Sequence, residues 1–285
     1  MPANLTELVD LLDLEMLDDG LFRGSQLEST GFFRVFGGQV AAQALVVAQR
    51  TVPEERHVHS LHSYFLLGGD LNVPIIYDVE NVRDGGSFTT RRVAARQHGE
   101  IIFYMTVSFQ KLEEGYEHQD PMPEVPKPDD CPRLVDAIRE RSAEAADWWE
   151  KEWSAIDARV APSDDPATQR IWFRLVEGLP EDRRFRNAVL TYFSDLTLLG
   201  PTMRPHGKAI GSPDLQVASL DHTIWFHRPT GDADWFLYDQ HSPSASRARG
   251  LAIGRVFGEN GELAATIAQE GLIRPIQPQS QRTAD

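Results

Sequence analysis

The alternation of apolar and polar positions along the chain sets out its elements. Leu5, Leu8, Leu12 and Met16 recur at helical spacing, which predicts a helix over Asn4–Leu17. Asn4 and Glu7 suit its N-terminal cap, and Asp18-Asp19-Gly20 suits its end. Phe36–Gln49 is a second helix. It is alanine-rich and nearly uncharged, so most of its circumference should be buried, and Gly37 and Gly38 at its start let another backbone approach. Strands follow over His59–Leu67, Ile75–Val82, Phe88–Gln97 and Ile101–Gln110, with turn chemistry at Asp84-Gly85-Gly86-Ser87 and His98-Gly99-Glu100. Pro121–Pro132 reads as a linker, and Leu134–Ile156 as an amphipathic helix. The order then recurs: a strand over Ile171–Val176, a helix over Arg186–Leu199, then strands over Val217–Arg228, Trp235–Gln240, Arg247–Phe257 and Leu263–Arg274.

That recurrence predicts an internal duplication. Ser60-Leu61-His62 matches Ser219-Leu220-Asp221, and His98-Gly99-Glu100 matches Asn260-Gly261-Glu262, at nearly the same separation. The expected fold class is α+β: two units, each an antiparallel sheet wrapped round one helix. The expected division is residues 1–120, a linker with its amphipathic helix over 121–168, and a second unit over 169–285 that carries the reactive groups.

Composition narrows the function. Hydrophobic residues make up 41% and charged residues 25% of the 285, as in ordinary globular proteins. A net charge of −15 argues against general nucleic-acid binding but leaves room for a phosphorylated small molecule held by a local arginine cluster. No apolar run approaches the roughly 20 residues of a membrane span, and no signal peptide is visible. The single cysteine, Cys131, suits a reduced, cytoplasmic setting.

Four groups of residues could carry chemistry. Asp221 lies inside the strand Val217–Arg228, where a carboxylate is costly to desolvate; it is either a base holding a water or a partly exposed strand aspartate. Gln269 shares the face of Leu263 and Ile267, so alternation turns it inward, either as a site amide or as a core glutamine bonded to backbone. Ser242 precedes Pro243 and is a hydroxyl donor or a turn residue; no Gly-x-Ser-x-Gly elbow is present. Arg247 and Arg249 fall at strand spacing, with Arg91, Arg92 and Arg96 at the corresponding place in the first half, and such clusters suit phosphates or solvated faces. The nine histidines show no metal-ligand spacing, so no metal is expected.

Several stretches add a resemblance. Val35–Gln39, Val58–Leu66, Pro74–Val79, Phe103-Tyr104-Met105, Leu220–Arg228 and Gln269-Glu270-Gly271 resemble the type II acyl-CoA thioesterase family, in order and over nearly the whole chain. The resemblance implies a double hotdog fold and hydrolysis of acyl-CoA, medium to long chains favoured, to free fatty acid and CoA without metal or organic cofactor. It implies an aspartate, a hydroxyl residue and a glutamine that orient the attacking water. These fall on Asp221, Ser242 (with Ser244 as the alternative) and Gln269. Backbone N–H groups at Gly37 and Gly38 are expected at the oxyanion, and a homodimer or homotetramer is expected in solution. The rival readings are a non-catalytic acyl-CoA binder and a hotdog hydratase. The hydratase would need an Asp-x-Asn-Pro-x-His motif, which this sequence lacks.

Overall fold

The computed structural model describes residues 1–26, 33–231 and 233–276. In the first half α1 (Leu5–Leu12) precedes the short hairpin β1 (Glu15–Asp18) and β2 (Leu21–Gly24), then α2 (Gly37–Arg50) and the strands β3 (His57–Phe65), β4 (Ile75–Asp84), β5 (Phe88–Gln97) and β6 (Glu100–Gln110). The connection to the second half holds α3 (Leu134–Arg139) and α4 (Ala143–Glu152). The second half has β7 (Ile156–Ala161), β8 (Thr168–Leu175), α5 (Arg183–Thr197), the single turn α6 (Gly200–Met203), β9 (Leu215–Ser219), β10 (Asp221–Phe226), β11 (Phe236–Ser246), β12 (Arg249–Gly258) and β13 (Leu263–Pro275).

The two halves form one antiparallel sheet, in the order β1-β2-β4-β5-β6-β3-β10-β13-β12-β11-β8-β7, with β9 added beside β13. Read from the middle outward, the order is the same on both sides. The halves meet where β3 pairs with β10, Leu61 opposite Ile224 and Ser63 opposite His222. Both Leu61 and Ile224 are fully buried. The sheet curls round α2 and α5, which pack against each other, and the main apolar core is continuous across the seam. Gln43, wholly buried on α2, is paired: it donates to the Leu11 carbonyl at 2.8 Å and accepts from the Tyr77 hydroxyl at 2.7 Å. The duplication expected from the turn matches has a structural counterpart. Gly99 and Gly261, each at the turn of its hairpin, adopt φ of +83° and +84°, the left-handed region that glycine enters without steric cost.

Three expected elements differ. The first helix stops at Leu12, because Asp13 closes it and Met16 then lies in β1, 66% exposed; Gly20, at φ +74°, turns the β1–β2 hairpin instead of ending a helix. The amphipathic Leu134–Ile156 stretch is two helices, because Ser142 caps α4 with its hydroxyl on the Ala145 N–H at 3.2 Å. Ile156 already belongs to β7, which pairs with β8, so strand pairing of the second half begins inside the stretch expected as linker.

The third difference matters most. Val217–Arg228 is one extended run with a β-bulge in it. On β9, Ser219 lies opposite Gly271, and on β10, Thr223 lies opposite Ala268. One extra residue therefore sits on the β9–β10 side, at Leu220–Asp221, and it inverts the alternation of side chains between the two faces.

Burial at the seam gives a direct test. Leu61→Ala should cost about 2–5 kcal/mol through lost transfer energy and the cavity left behind. Thermal unfolding should show the midpoint lowered by roughly 3–8 °C, with both halves lost in one transition rather than two.

Candidate functional site

The inner face at the seam gathers a polar cluster from five elements. Its centre is Asp195, near the C-terminal end of α5. Gln269 of β13 donates from Nε2 to Asp195 Oδ1 at 2.7 Å and to Ser219 Oγ at 2.6 Å. Ser219 donates from Oγ to Asp195 Oδ1 at 3.2 Å. The backbone N–H of Gly38, in the first turn of α2, also bonds the Asp195 carboxylate. Below Gln269 lies His222 of β10, with Nδ1 3.2 Å from Gln269 Oε1 and Nε2 2.7 Å from Ser194 Oγ. Gln269 and His222 are wholly buried.

Each position follows from local structure. α5 starts where Asp182 caps it, its carboxylate accepting from the Arg184 N–H at 2.8 Å, and its buried face runs from Arg186 to Ser194. That leaves Asp195 at the end of the buried stripe, aimed across the helix pair at the start of α2. Gly37 and Gly38 make the approach possible. A Cβ on Gly37 would stand 2.7 Å from Asp195 Oδ2, and one on Gly38 would stand 2.3 Å from the Tyr192 carbonyl. Ser219 faces inward because of the bulge. Under unbroken alternation it would share a face with Asp221 and Thr223; the extra residue puts it on the face of His222 and Gln269 instead.

Electrostatics mark the same group. Burial raises the Asp195 carboxyl to about 6, against the opposing effect of its hydrogen bonds from Gln269, Ser219 and Gly38 and of the Arg34 charge. Arg34 lies beside the cluster and donates to the Val217 carbonyl at 3.1 Å. The α2 N-terminus contributes the positive end of a helix dipole. Burial lowers His222 to about 4, so its imidazole is neutral near pH 7. A carboxylate that titrates near 6, and so is mostly ionised at pH 7, fixed by three donors, can take a proton from water.

The structure does not assemble Asp221, Ser242 and Gln269. Asp221 points to the opposite face of the sheet from Gln269, because Gln269 shares a face with His222. Its Oδ1 accepts from the Glu270 N–H at 2.7 Å, so the carboxylate closes a backbone donor at the bulge. Burial and the Glu270 charge raise its carboxyl, with the Glu270 N–H opposing them. Ser242 lies at a second irregularity, between His241 and Ser244 of β11. Its Oγ donates to the Leu251 carbonyl at 2.8 Å, and its N–H donates to the Ala167 carbonyl at 2.9 Å. It is separated from Gln269 by β12, about 10 Å in strand spacings. Ser244, in the same irregular stretch, is exposed.

The arginine expectation also changes. Arg247 is not in a strand; it and Ala248 form the β11–β12 turn with φ of +49° and +62°. Arg249 is in β12, half-exposed and paired with Glu270 at 2.9 Å. Arg247 and Arg249 therefore form no shared strand face. In the first half, Arg91 is buried and donates to Asp84 at 2.7 Å and to the Thr51 carbonyl at 3.1 Å, and Arg92 pairs with Glu80. Gly37 and Gly38 do lie at the site, but the Gly38 N–H is engaged by Asp195. Sequence reasoning missed Asp195 and Ser219. The available signal was a carboxylate at the end of an otherwise uncharged stretch of helix, Asn187–Ser194.

Comparison with known proteins agrees with this architecture. Residues 27–110 match the family described as acyl-CoA thioesterase N-terminal domain, and residues 142–272 match the family described as acyl-CoA thioesterase. The chain is 41% identical to acyl-CoA thioesterase 2 of Haemophilus influenzae, over 95% of this chain and 98% of that protein. It is 38% identical to acyl-coenzyme A thioesterase 8 of Mus musculus, over 95% and 90% respectively. The crystal structure of the acyl-CoA thioesterase II TesB2 from Mycobacterium marinum superimposes with a TM-score of 0.81 at 44% identity, covering 95% of this chain and 98% of that one. Two hotdog units in one chain, with identity at this level over nearly the full length of both partners, make the protein a member of the acyl-CoA thioesterase family, a hydrolase of acyl-CoA thioesters.

Proposed function

We propose that the Asp195–Ser219–Gln269 cluster carries the hydrolysis. The observation behind this reading is convergence: a carboxylate raised to about 6 by burial, held by a hydroxyl, an amide and a helix N-terminus. A water bonded to Asp195 attacks the thioester carbonyl carbon, and Asp195 takes its proton. The tetrahedral oxyanion collapses, the C–S bond breaks, and the proton passes to the departing CoA thiolate. Free acid and thiol result. Ser219 and Gln269 fix where the water stands, and misplacing it by about an ångström costs on the order of 10²-fold in rate.

Medium-to-long acyl chains are proposed from the family membership; the apolar hollow beside α5 has free space for only about one water and would have to widen to take such a chain. The hollow is lined by Leu134, Ile156, Phe173, Phe193, Leu196 and Tyr238, beside the turn of α5 that carries Asp195. Cytoplasmic residence is proposed from the lone, buried Cys131; among the described residues no helix is long and apolar enough to cross a membrane. A homodimer or homotetramer is proposed from the outer sheet face, where Tyr64, Tyr104 and Trp225 stand exposed on both sides of the seam. Light scattering should return a mass above 32.0 kDa.

The site reading is tested by thiol release from acyl-CoAs of increasing chain length. Asp195→Asn should lose about 10²–10⁴ in kcat, while Asp221→Asn, which keeps an oxygen acceptor for Glu270, should stay within a few-fold of wild type. The reverse ranking would reject the assignment. Wild-type kcat/KM should fall with acid through a single ionisation near 6 as Asp195 protonates.

Stability should move the other way. A carboxyl raised from 3.8 to about 6 in the fold favours folding only while protonated, so its contribution is complete below pH 3.8 and is lost as pH rises through 6. Asp195→Asn should therefore stabilise the protein at pH 8 by up to about 3 kcal/mol and change little at pH 4. Equal effects at both pH values, read by denaturant melts, would contradict this.

A further inference from the structure

We propose that His222, held by Ser194, is a positioning residue that fixes the amide of Gln269 with its nitrogen toward Asp195. The inference rests on the site reading above and adds to it a direction for every proton in the cluster.

The direction follows from counting donors and acceptors. An ionised Asp195 only accepts, so the Gln269 group 2.7 Å from Oδ1 has to be the amide nitrogen. The same nitrogen reaches Ser219 Oγ, whose own proton then goes to Asp195. Gln269 Oε1 is thereby turned to the core and faces His222 Nδ1 at 3.2 Å. Two acceptors cannot face each other in a dry interior, so Nδ1 carries the proton. The imidazole is neutral and has only one, which leaves a lone pair on Nε2. Ser194 Oγ, 2.7 Å away, fills that need by donating to it. Ser194 Oγ also lies 2.9 Å from the Thr191 carbonyl, the other acceptor open to its proton. Choosing Thr191 would force the Nε2–H tautomer and leave Gln269 Oε1 facing a bare nitrogen.

The histidine is itself held. Ser63, across the seam on β3, donates to the His222 carbonyl at 2.7 Å, and Tyr238 donates to the Ser194 carbonyl at 3.0 Å. All four residues are buried, with Ser63 and Ser194 at 1% and 2% exposure. A core histidine serving packing alone would be equally content in either tautomer. This one is wired at both nitrogens, and one end of the wire is the amide that contacts Asp195. The His222 ring bonds Gln269 and Ser194 and neither Asp195 nor Ser219, so it acts through Gln269.

The experiment combines kinetics with selectively ¹⁵N-histidine-labelled full-length protein. Wild type should show His222 as the Nδ1–H tautomer by ¹⁵N shift at pH 7. His222→Leu should lower kcat by roughly 10–100-fold with KM changed less than about 3-fold. His222→Asn, whose amide can donate where Nδ1–H did, should recover a large part of that loss. Ser194→Ala should give a smaller fall in kcat and a mixed tautomer signal. An Nε2–H tautomer in wild type, or wild-type kcat in a folded His222→Leu, would overturn the proposal. The tautomer measurement stands even if the leucine variant fails to fold. Asp195→Asn run in parallel separates the two levels: an active Asp195→Asn removes the site reading itself, whereas an inactive one beside a fully active His222→Leu removes only the role given to His222.

Discussion

A partly buried carboxylate with no bonded cation among the described residues is the constraint on which the centre of this molecule depends. Moving an ionised aspartate out of water is costly unless hydrogen bonds replace its hydration. Asp195 receives three donors, from Gln269, Ser219 and Gly38, each from a different element. None carries a full charge, and Arg34, the nearest cation acting on it, spends a donor on the Val217 carbonyl. Neutral donors leave the carboxylate basic, where a tight ion pair would have held it below the ordinary range and made it a poor base. The arrangement keeps a proton acceptor poised near neutrality at the expense of stability.

Holding that group requires side chains from β9, β10 and β13 on one face, and a regular strand cannot supply them. Ser219 and His222 are three residues apart and would lie on opposite faces under strict alternation. The extra residue at Leu220 brings both inward. The bulge leaves the Glu270 N–H in need of an acceptor, and Asp221 provides it. Asp221 is therefore a support of the bulge, and the bulge in turn aims Ser219.

This explains what could and could not be seen in the residue pattern. The buried helix Phe36–Gln49, the two hairpins and the duplicated order were readable because they rest on periodicity and turn chemistry. Gln269 was readable for the same reason, since nothing interrupts the alternation of β13 before it. The facing of Ser219 and Asp221 is not legible in the residue pattern, because a single bulge reverses parity without changing composition. Asp195 was visible only as a polar residue in a helix. Its significance comes from the start of α2, which lies far away in sequence and close in space.

The duplication also bears on how many sites one chain holds. A two-fold relation between the halves would place a second site at the other end of the helix pair, where α2 ends beside the start of α5. That place is occupied by Arg184, whose guanidinium donates to the carbonyls of Gln49, Val52 and Pro53 at 2.9, 3.2 and 2.6 Å. Gln49 returns a bond to the Arg184 carbonyl at 3.3 Å. An arginine capping three carbonyls does the opposite work from an aspartate held by three donors: it closes a helix end and leaves no acceptor for a water proton. One end of the pseudo-symmetric pair is thus committed to holding α2 and α5 together. The other, relieved of that task, can carry the unfavourable carboxylate. A double unit divides stability and chemistry between its two ends in a way that a symmetric pair of identical units could not.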